Sequence, residues 1–303
     1  MANWNDLPYE IKMLIIKKMK FTTRNKLKMC SKLDRVMVNS IPLKFGNVRT
    51  LIFKNELSMT VEDSSKSILF QIKTCEPNTL KVVFNKTTRY ISYSTFEEGR
   101  QIVYQYALSF MATIFHARSV EIGDFTTGMP FPIELTNAIN KPRCDSMEVR
   151  FSSSVNIRNW MDHFTTTEFK IDELSSPDEI VDDPDTLAML MEYESLDIIK
   201  APNCLTDDNL MNFNGKTIWL ESSSNITSTG INRFIKKLIA DNDQYSNMKY
   251  FNFDMTGKLW INEVIQDIRC KHDGLTFEHE NANGKNLYIT SCHSAIVIEK
   301  EKR

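Results

Sequence analysis

Five side chains near the end of the chain have the chemistry of metal ligands. Cys270, His272, His279, Cys292 and His293 lie within 24 residues of one another. Thiolates and imidazoles are common ligands of Zn²⁺, but the spacing here fits no common zinc site, and a RING module needs a longer ordered series of ligands. Cysteine and histidine in buried strands are usually structural. The sequence therefore predicts no metal and no cofactor.

Catalytic motifs are also absent from the sequence. It has no Gly-rich phosphate loop, no His-Glu-x-x-His and no Gly-x-Ser-x-Gly. No cysteine has both a basic neighbour and a histidine in an arrangement that would activate a nucleophile. We therefore expect a protein that binds partners and is not an enzyme.

The first forty residues carry apolar side chains at helical spacing, beginning with the run Leu7-Pro8-Tyr9-Glu10-Ile11. We expect Asp6 to cap a first helix, Thr22 or Thr23 a second, and Ser31 a third. The segment is too short to make a core of its own. It is therefore either an amphipathic hairpin that packs on its own protein or a module that docks on a partner.

This segment resembles an F-box, whose pattern is filled here by Leu7, Pro8, Glu10, Ile11, Ile15, Met19, Leu27, Cys30 and Lys32. An F-box is a small helical module that docks on the Skp-type adaptor of a cullin-RING ubiquitin ligase. The resemblance implies a substrate-recognition subunit of an Skp–cullin–F-box ligase, with an F-box at residues 3–42 and an unknown protein substrate bound by the rest of the chain. It implies these adaptor-binding residues: Leu7, Pro8, Glu10, Ile11, Leu14, Ile15, Met19, Leu27 and Cys30.

A second resemblance lies between Leu205 and Leu238. The segment has a Thr-Asp-Asp-x-Leu turn from Thr206, a strand from Thr217, and a Thr-x-x-x-Ile-Asn-x-Phe-Ile-Lys helix from Thr227. This order is similar to the F-box-associated region of the large nematode F-box family. The resemblance implies that residues 45–303 form an F-box-associated, substrate-binding domain.

Short alternating strands recur through that region. Those that begin at Leu80, Val120, Met147, Phe169, Leu196, Ile218, Phe251 and Leu287 each have one apolar face. Their spacing is close to that of leucine-rich repeats, so we expect a mixed α/β (α+β) fold. It would comprise the three-helix F-box, a small sheet over residues 45–95, a helix from Phe96 to His116, and an irregular leucine-rich-repeat-like strand–helix solenoid. The alternative is an ordinary mixed α/β domain.

Charge is distributed unevenly along the chain. Residues 1–44 carry ten Lys or Arg and three acidic residues, net plus seven, and the remainder is net minus nine. A basic module favours an acidic protein surface such as that of the adaptor. The alternative is an adaptor-independent protein- or RNA-binding module that uses the basic hairpin, but the lysines interleave with an ordered apolar stripe, so nucleic acid is the less favoured partner.

The acidic stretch from Asp172 to Glu194 contains nine carboxylates and no Lys or Arg. It is predicted to be a solvated loop; alternatively, it receives a basic segment of a target. The sequence shows neither a basic leader nor an apolar run long enough to span a membrane, and its six cysteines are scattered. We expect a cytoplasmic or nuclear protein with reduced thiols and no membrane contact.

Overall fold

The computed structural model describes residues 4–53, 56–63, 66–84, 87–115, 117, 119–137, 141–150, 154–172, 183–200, 205–221, 225–241, 245, 247–254, 259–280, 286–292 and 295–300. The chain forms two compact units. The first comprises Met1–Asp145 and Asp162–Thr165, and the second comprises Ser146–Met161 and Thr166–Arg303.

The first unit begins with the predicted three helices. A short 3-10 helix, Trp4–Asp6, precedes α1 (Tyr9–Lys18), α2 (Phe21–Lys28) and α3 (Lys32–Asn39). They enclose a small core of Ile16, Met37, Val38 and Ile41. Because this core holds few residues, the helical module also depends on the hydrogen bonds at its helix ends.

Two of the three predicted helix caps are wrong. Ser31 does cap α3, since its Oγ accepts a hydrogen bond from the Asp34 N–H at 3.0 Å. The first helix, however, begins after Pro8 without a side-chain cap, so Asp6 lies before it. The second begins after Lys20, which leaves Thr22 and Thr23 inside its first turn and not at the cap.

Arg24 explains where the chain turns between α1 and α2. Its guanidinium donates hydrogen bonds to the carbonyl of Met19 at 3.0 Å and to that of Lys17 at 2.7 Å. These are carbonyls that the end of a helix leaves unpaired. The turn therefore occurs at Met19 and Lys20, before the two threonines.

The sheet of the first unit follows the helices directly. Its elements are β1 (Leu43–Phe53), β2 (Glu56–Asp63), β3 (Lys66–Glu76), β4 (Thr79–Phe84), β5 (Thr87–Ser92), α4 (Phe96–Phe115) and β6 (Val120–Gly128). The strand order is β6-β1-β2-β3-β4-β5, in which β1 to β5 form an antiparallel meander. The helix predicted from Phe96 is confirmed as α4; His116, its predicted end, lies outside the described residues.

Strands β1 to β5 occupy the region predicted to be a small sheet, but they are part of a larger sheet. Strand β1 pairs in parallel with β6, the strand that contains Val120 and Ile122. The meander therefore belongs to the same sheet as the first of the strands predicted to form repeats. The loop that carries the chain from β5 back to β6 contains α4, as a parallel connection requires.

The second unit alternates strands with helices and then changes its pairing. Its elements are β7 (Arg143–Arg150), α5 (Ser154–His163), β8 (Glu168–Asp172), α6 (Pro184–Leu190), β9 (Ser195–Ile199), α7 (Asp207–Asn212), β10 (Thr217–Glu221), α8 (Ser228–Ala240), β11 (Tyr250–Asp254), α9 (Ile261–Val264), β12 (Lys271–Asp273), β13 (Thr276–Glu280), β14 (Asn286–Cys292) and β15 (Ala295–Glu299). The order is β7-β8-β9-β10-β11-β15-β14-β13-β12.

Strands β7 to β11 pair in parallel, as a strand–helix repeat requires. Their inward side chains form continuous buried rows, one of which is Phe169, Leu196, Ile218 and Phe251. Helix α8 packs on this face, where Phe234 lies 5.3 Å from Phe251 between ring centroids. The predicted strands and the helix from Thr227 are confirmed.

The solenoid does not extend over the whole of residues 45–303. After β11 the pairing becomes antiparallel, so the predicted strand at Leu287 and Ile289 lies in β14 and is not a further repeat. The connections among β12 to β15 are too short to contain a crossover helix. The mixed α/β class is confirmed, and the parallel strand–helix arrangement of the second unit is confined to β7–β11.

The acidic stretch is not entirely a loop. Residues 173–182 lie outside the described residues, but helix α6 occupies Pro184–Leu190. Asp183 caps it by accepting a hydrogen bond from the Thr186 N–H at 3.4 Å, and Arg158 lies 3.8 Å from the same carboxylate. The hydrogen bonds from Thr186 hold the pKa of Asp183 below its usual value.

A hydrogen-bond cluster joins α7 and α8. Asp207 accepts from the Thr227 N–H and from Thr227 Oγ1, both at 2.7 Å. Its carboxylate therefore lies at the positive end of α8, where a negative charge is favoured. A Cβ at Gly230 would overlap this carboxylate, so glycine is required for the close approach. These residues of the Thr-Asp-Asp-x-Leu turn and the following helix hold the fold together.

We predict that Asp207→Ala lowers the free energy of unfolding by about 1–2 kcal/mol, because it removes a charged cap and two hydrogen bonds. Urea unfolding monitored by circular dichroism measures the change. The matched control is Asp208→Ala, since Asp208 is exposed and lies 3.6 Å from Arg233 in a surface ion pair. We expect a change below about 0.5 kcal/mol there. Equal losses in the two variants would contradict the role given to Asp207.

Candidate functional site

One face of α1 has apolar side chains in solvent. Ile11, Leu14 and Ile15 are 42%, 54% and 37% exposed, whereas Ile16 on the opposite face is fully buried. A helix of this length cannot turn both faces inward in a single small core. Neighbouring exposed apolar side chains are a common feature of surfaces that bind another molecule. We call Ile11, Leu14 and Ile15 the α1 patch.

The structure divides the predicted adaptor-binding residues into three groups by their burial. Met19 and Leu27 pack against the core of the helical module, so they support the helices from within. Leu7 is half-buried. The remaining predicted residues are exposed: Pro8, Glu10, Ile11, Leu14, Ile15 and Cys30. Adaptor binding by these residues stays a prediction.

Further apolar side chains are exposed on the same module and were not among the predicted site residues. Leu33 and Val36 of α3 are 58% and 65% exposed, and Met29 at the end of α2 is also exposed. Leu33 and Val36 are three positions apart, which is the spacing of one helix face, whereas Met37 is buried. These exposed residues could have been predicted from the sequence, because Leu33, Val36 and Met37 recur at helical spacing.

Asp34 fixes the helices that carry these surfaces. The Trp4 indole N–H donates to Asp34 Oδ1 at 2.9 Å, and Ser31 Oγ donates to Oδ2 at 2.7 Å. The Lys12 ammonium lies 5.8 Å from the Trp4 ring centroid. The buried Asp34 carboxylate therefore joins the N-terminal turn to α3, and Lys12 joins that turn to α1.

The module is also basic. Lys17 and Lys18 are exposed in the last turn of α1, where cations complement the helix dipole. Burial lowers the pKa of Lys28 in α2, and the nearby Arg35 lowers it further. The crowding of like charges agrees with the net positive charge of this segment and favours an acidic partner surface.

We predict that Asp34→Ala lowers the stability of the helical module by about 2 kcal/mol, because the Trp4 indole N–H loses its partner and α3 loses part of its cap. Hydrogen–deuterium exchange of residues 31–40 measures the effect as faster exchange. Asp6→Ala is the control, since Asp6 is an exposed carboxylate of the same module. Unchanged exchange in Asp34→Ala would show that the carboxylate does not hold the helices.

A second candidate surface lies in the second unit, on the side of β7–β11 opposite the helices. Strand register aligns Glu148, Lys170, Asp197, Trp219 and Asn252 in one row across the five strands. We call the outward side chains of these strands the open face. Parallel sheets are usually covered on both sides, and here the second side carries charged and polar residues instead. Sequence reasoning followed the apolar residues of each strand and missed the polar ones between them.

Two cations of the open face are paired at its β7–β8 end. Arg150 lies 2.6 Å from Glu148 and 3.7 Å from Asp172, and Lys170 lies 4.0 Å from Glu148. Glu148 and Asp172 therefore offset the two cations at this end of the face. Towards β10 the carboxylates Asp197 and Glu221 have no ion-pair partner among the described residues.

Burial raises the pKa of Asp197. Lys170 opposes this rise, whereas Glu168 and Glu148 add to it. The folded chain therefore holds a proton on Asp197 more tightly than the unfolded chain, whose carboxyl has the usual pKa near 3.8. The stability that this proton contributes is full below the unfolded-state pKa and is lost as the pH rises through the folded-state pKa.

We predict that Asp197→Asn raises the free energy of unfolding at neutral pH, because the neutral amide removes the cost of burying an ion. The gain should shrink as the pH falls towards the unfolded-state pKa of the carboxyl, because wild-type Asp197 then takes up its proton. Urea unfolding at several pH values measures this trend. Glu263→Gln, which neutralises an exposed residue of α9, is the control and should show no such trend. A gain that does not depend on pH would contradict the burial of an ionised Asp197.

The predicted metal-capable residues have structural contacts. His272 stacks on Phe277 with ring centroids 4.6 Å apart, and the His279 ring lies 2.9 Å from the Arg269 carbonyl oxygen. Burial raises the pKa of the Cys270 thiol, and His293 lies outside the described residues. Within the part of the chain that the structure describes, no three His, Cys, Asp or Glu side chains are grouped to hold a metal ion.

Comparison with known families matches two segments of the chain. Residues 4–46 match the F-box domain family, and residues 188–253 match the F-box associated family. These are the segments of an F-box protein with a C-terminal F-box-associated region, as the two resemblances predicted. No curated protein and no solved structure matches the chain.

F-box domains generally bind Skp-type adaptors and through them cullin-RING ligases. Proteins of the two matched families are typically non-catalytic substrate adaptors. The helical module with its α1 patch falls within the F-box match, and the Asp207–Thr227 cluster falls within the F-box-associated match. No helix in the described ranges combines the length and apolar character needed to cross a membrane.

Proposed function

We propose that the protein is the substrate-recognition subunit of an Skp–cullin–F-box ubiquitin ligase. Residues 3–42 dock on the Skp-type adaptor, and residues 45–303 bind a protein target. The chain supplies recognition and no catalytic residues, so ubiquitin transfer belongs to its partners, in the cytoplasm or nucleus. The α1 patch carries this proposal, because it places exposed apolar residues within the segment that matches the F-box domain.

The energetics support docking through the α1 patch. Burying a large apolar side chain completely is worth about 1.5–3 kcal/mol. Ile11, Leu14 and Ile15 together therefore offer several kcal/mol of docking energy. This is less than complete burial from water would give, because each side chain is already partly buried. Leu33 and Val36 extend the apolar area on α3. Exposed lysines at the end of α1 add attraction to an acidic partner.

We further propose that β7–β11 and the helices between them form a short leucine-rich-repeat-like array that presents the target site. Its rows of inward side chains are buried beneath helices, whereas its outward side chains, apart from Asn252, are partly or fully exposed. A rigid parallel sheet is a suitable support for recognition, because register fixes the spacing of its outward side chains.

We predict that Leu14→Ala/Ile15→Ala abolishes capture of the adaptor in a pull-down with purified proteins. Both side chains are exposed, so their loss removes docking energy with little effect on the fold. Leu7→Ala/Pro8→Ala should also abolish capture. The matched control is Ile133→Ala/Leu275→Ala, which removes two exposed apolar side chains outside the helical module. It should capture the adaptor as the wild type does.

Either of two results would contradict the assignment: no adaptor capture by the wild-type chain, or equal capture by the wild type and both variants of the helical module.

The same preparation tests the adaptor-independent alternative, in which the basic N-terminal hairpin binds RNA. That alternative requires an RNA affinity that falls steeply with salt concentration. We expect no such binding.

A further inference from the structure

The open face has more carboxylates than cations. Over residues 146–150, 168–172, 195–199, 217–221 and 250–254, which the strand register aligns, the outward side chains include six acidic ones and two basic ones. Both cations, Arg150 and Lys170, already lie beside Glu148. Glu168, Asp197 and Glu221 have no ion-pair partner in the part of the chain that the structure describes. The face is therefore complementary to a cationic partner and repels nucleic acid.

Trp219 lies at the centre of these unpaired carboxylates. It is 41% exposed in the middle of β10. In its row, Asp197 of β9 lies on one side and Asn252 of β11 on the other, and Glu221 follows on the same face of β10. Neighbouring strands are about 4.8 Å apart, so all three lie within reach of a side chain that contacts the indole.

Asn252 provides an observation that is independent of charge. It is only 7% exposed, and its Oδ1 accepts no hydrogen bond from any residue that the structure describes. Phe251 and Phe253 on either side of it are fully buried in the core, so strand alternation places Asn252 on the open face beside Trp219. A buried acceptor without a donor is costly, and a donor from a bound partner would satisfy it.

The chemistry of these groups selects one kind of side chain. An indole ring attracts a cation placed over its face, most often the guanidinium of arginine. The guanidinium carries several N–H donors in a plane, so one arginine can reach both a carboxylate and an amide oxygen. Trp219, Asp197 and Asn252 supply the ring, the charge and the acceptor.

We propose that the open face binds a basic segment of the protein target, with an arginine or lysine side chain over Trp219 and between Asp197 and Asn252. This inference rests on the proposed function, because it specifies the class of target that the receptor takes. Glu168 and Glu221 lie on either side of the central row and attract further basic residues of the same segment.

The test is fluorescence anisotropy of the full chain with three labelled peptides: an arginine-rich peptide, its citrulline counterpart, and a glutamate-rich peptide. Citrulline keeps the shape of arginine and removes its charge. We expect the arginine peptide alone to bind, and to bind more weakly as salt is added. Binding of the citrulline peptide with equal affinity, or no binding of the arginine peptide, would overturn the inference.

Variants locate the site. Trp219→Ala and Asp197→Asn should each weaken binding of the arginine peptide by roughly fivefold to tenfold, and Trp219→Phe should retain most of it because a ring remains. The matched control is Trp260→Ala/Glu263→Gln, which removes an exposed tryptophan and an exposed acid outside the open face. Equal weakening in this control would show attraction by net charge alone and overturn the site.

The adaptor pull-down is read separately on the same preparations. A chain that captures the adaptor and does not bind the arginine peptide overturns this inference and leaves the proposed function intact. A chain that binds the peptide at Trp219 and does not capture the adaptor contradicts the ligase role and retains the peptide site.

Discussion

Strand register is the constraint on which the second unit depends. Phe169, Leu196, Ile218 and Phe251 must align across four strands to form a buried row beneath the helices. Because side chains alternate along a strand, this alignment also fixes the outward residues between them. Asp197, Trp219 and Asn252 are neighbours for this reason alone. The core therefore determines the geometry of the surface that we assign to the target.

Helix α1 of the N-terminal module also has one buried face and one exposed face. Ile16 points into a core that also holds Met37 and Val38, which leaves Ile11 and Leu14 in solvent. A module of this size cannot bury both sides of α1. Its own hydrogen bonds, centred on Asp34, keep the helices in place without a partner. Docking can then use a preformed surface, which reduces the ordering cost of binding.

Local features of the fold could be predicted from the sequence. Strands such as Phe169–Ile171 and Ile218–Leu220 were found because alternation is a property of a few consecutive residues. The cap at Ser31 was found because a capping residue lies next to the helix that it caps. The cap predicted at Asp6 was wrong because Asp6 lies in the 3-10 turn and α1 begins after Pro8. The cap predicted at Thr22 or Thr23 was wrong because the turn, held by hydrogen bonds from Arg24 to the Lys17 and Met19 carbonyls, lies before them. The antiparallel pairing of β14 was missed because it depends on β15, whose partner β11 lies far away in sequence.

Of the residues that we propose as functional, only some could be predicted from the sequence. The F-box pattern includes Ile11 and Ile15, and helical spacing adds Leu14, because order and spacing are properties of neighbouring residues. The pattern could not show that Met19 and Leu27 pack against the core of the module, because that depends on how the three helices pack together. The open face was missed because its residues come from separate strands and become neighbours only through pairing. The importance of Asp207 was likewise hidden, because its partner Thr227 lies in the next helix.

The central claim is that the α1 patch is the surface on which the adaptor docks. Hydrogen–deuterium exchange of the full chain, with and without the Skp-type adaptor, tests it most directly. The account predicts that the adaptor slows exchange in residues 7–19 and in α3, and leaves β7–β11 unchanged. Unchanged exchange in α1, or protection confined to the second unit, would contradict it.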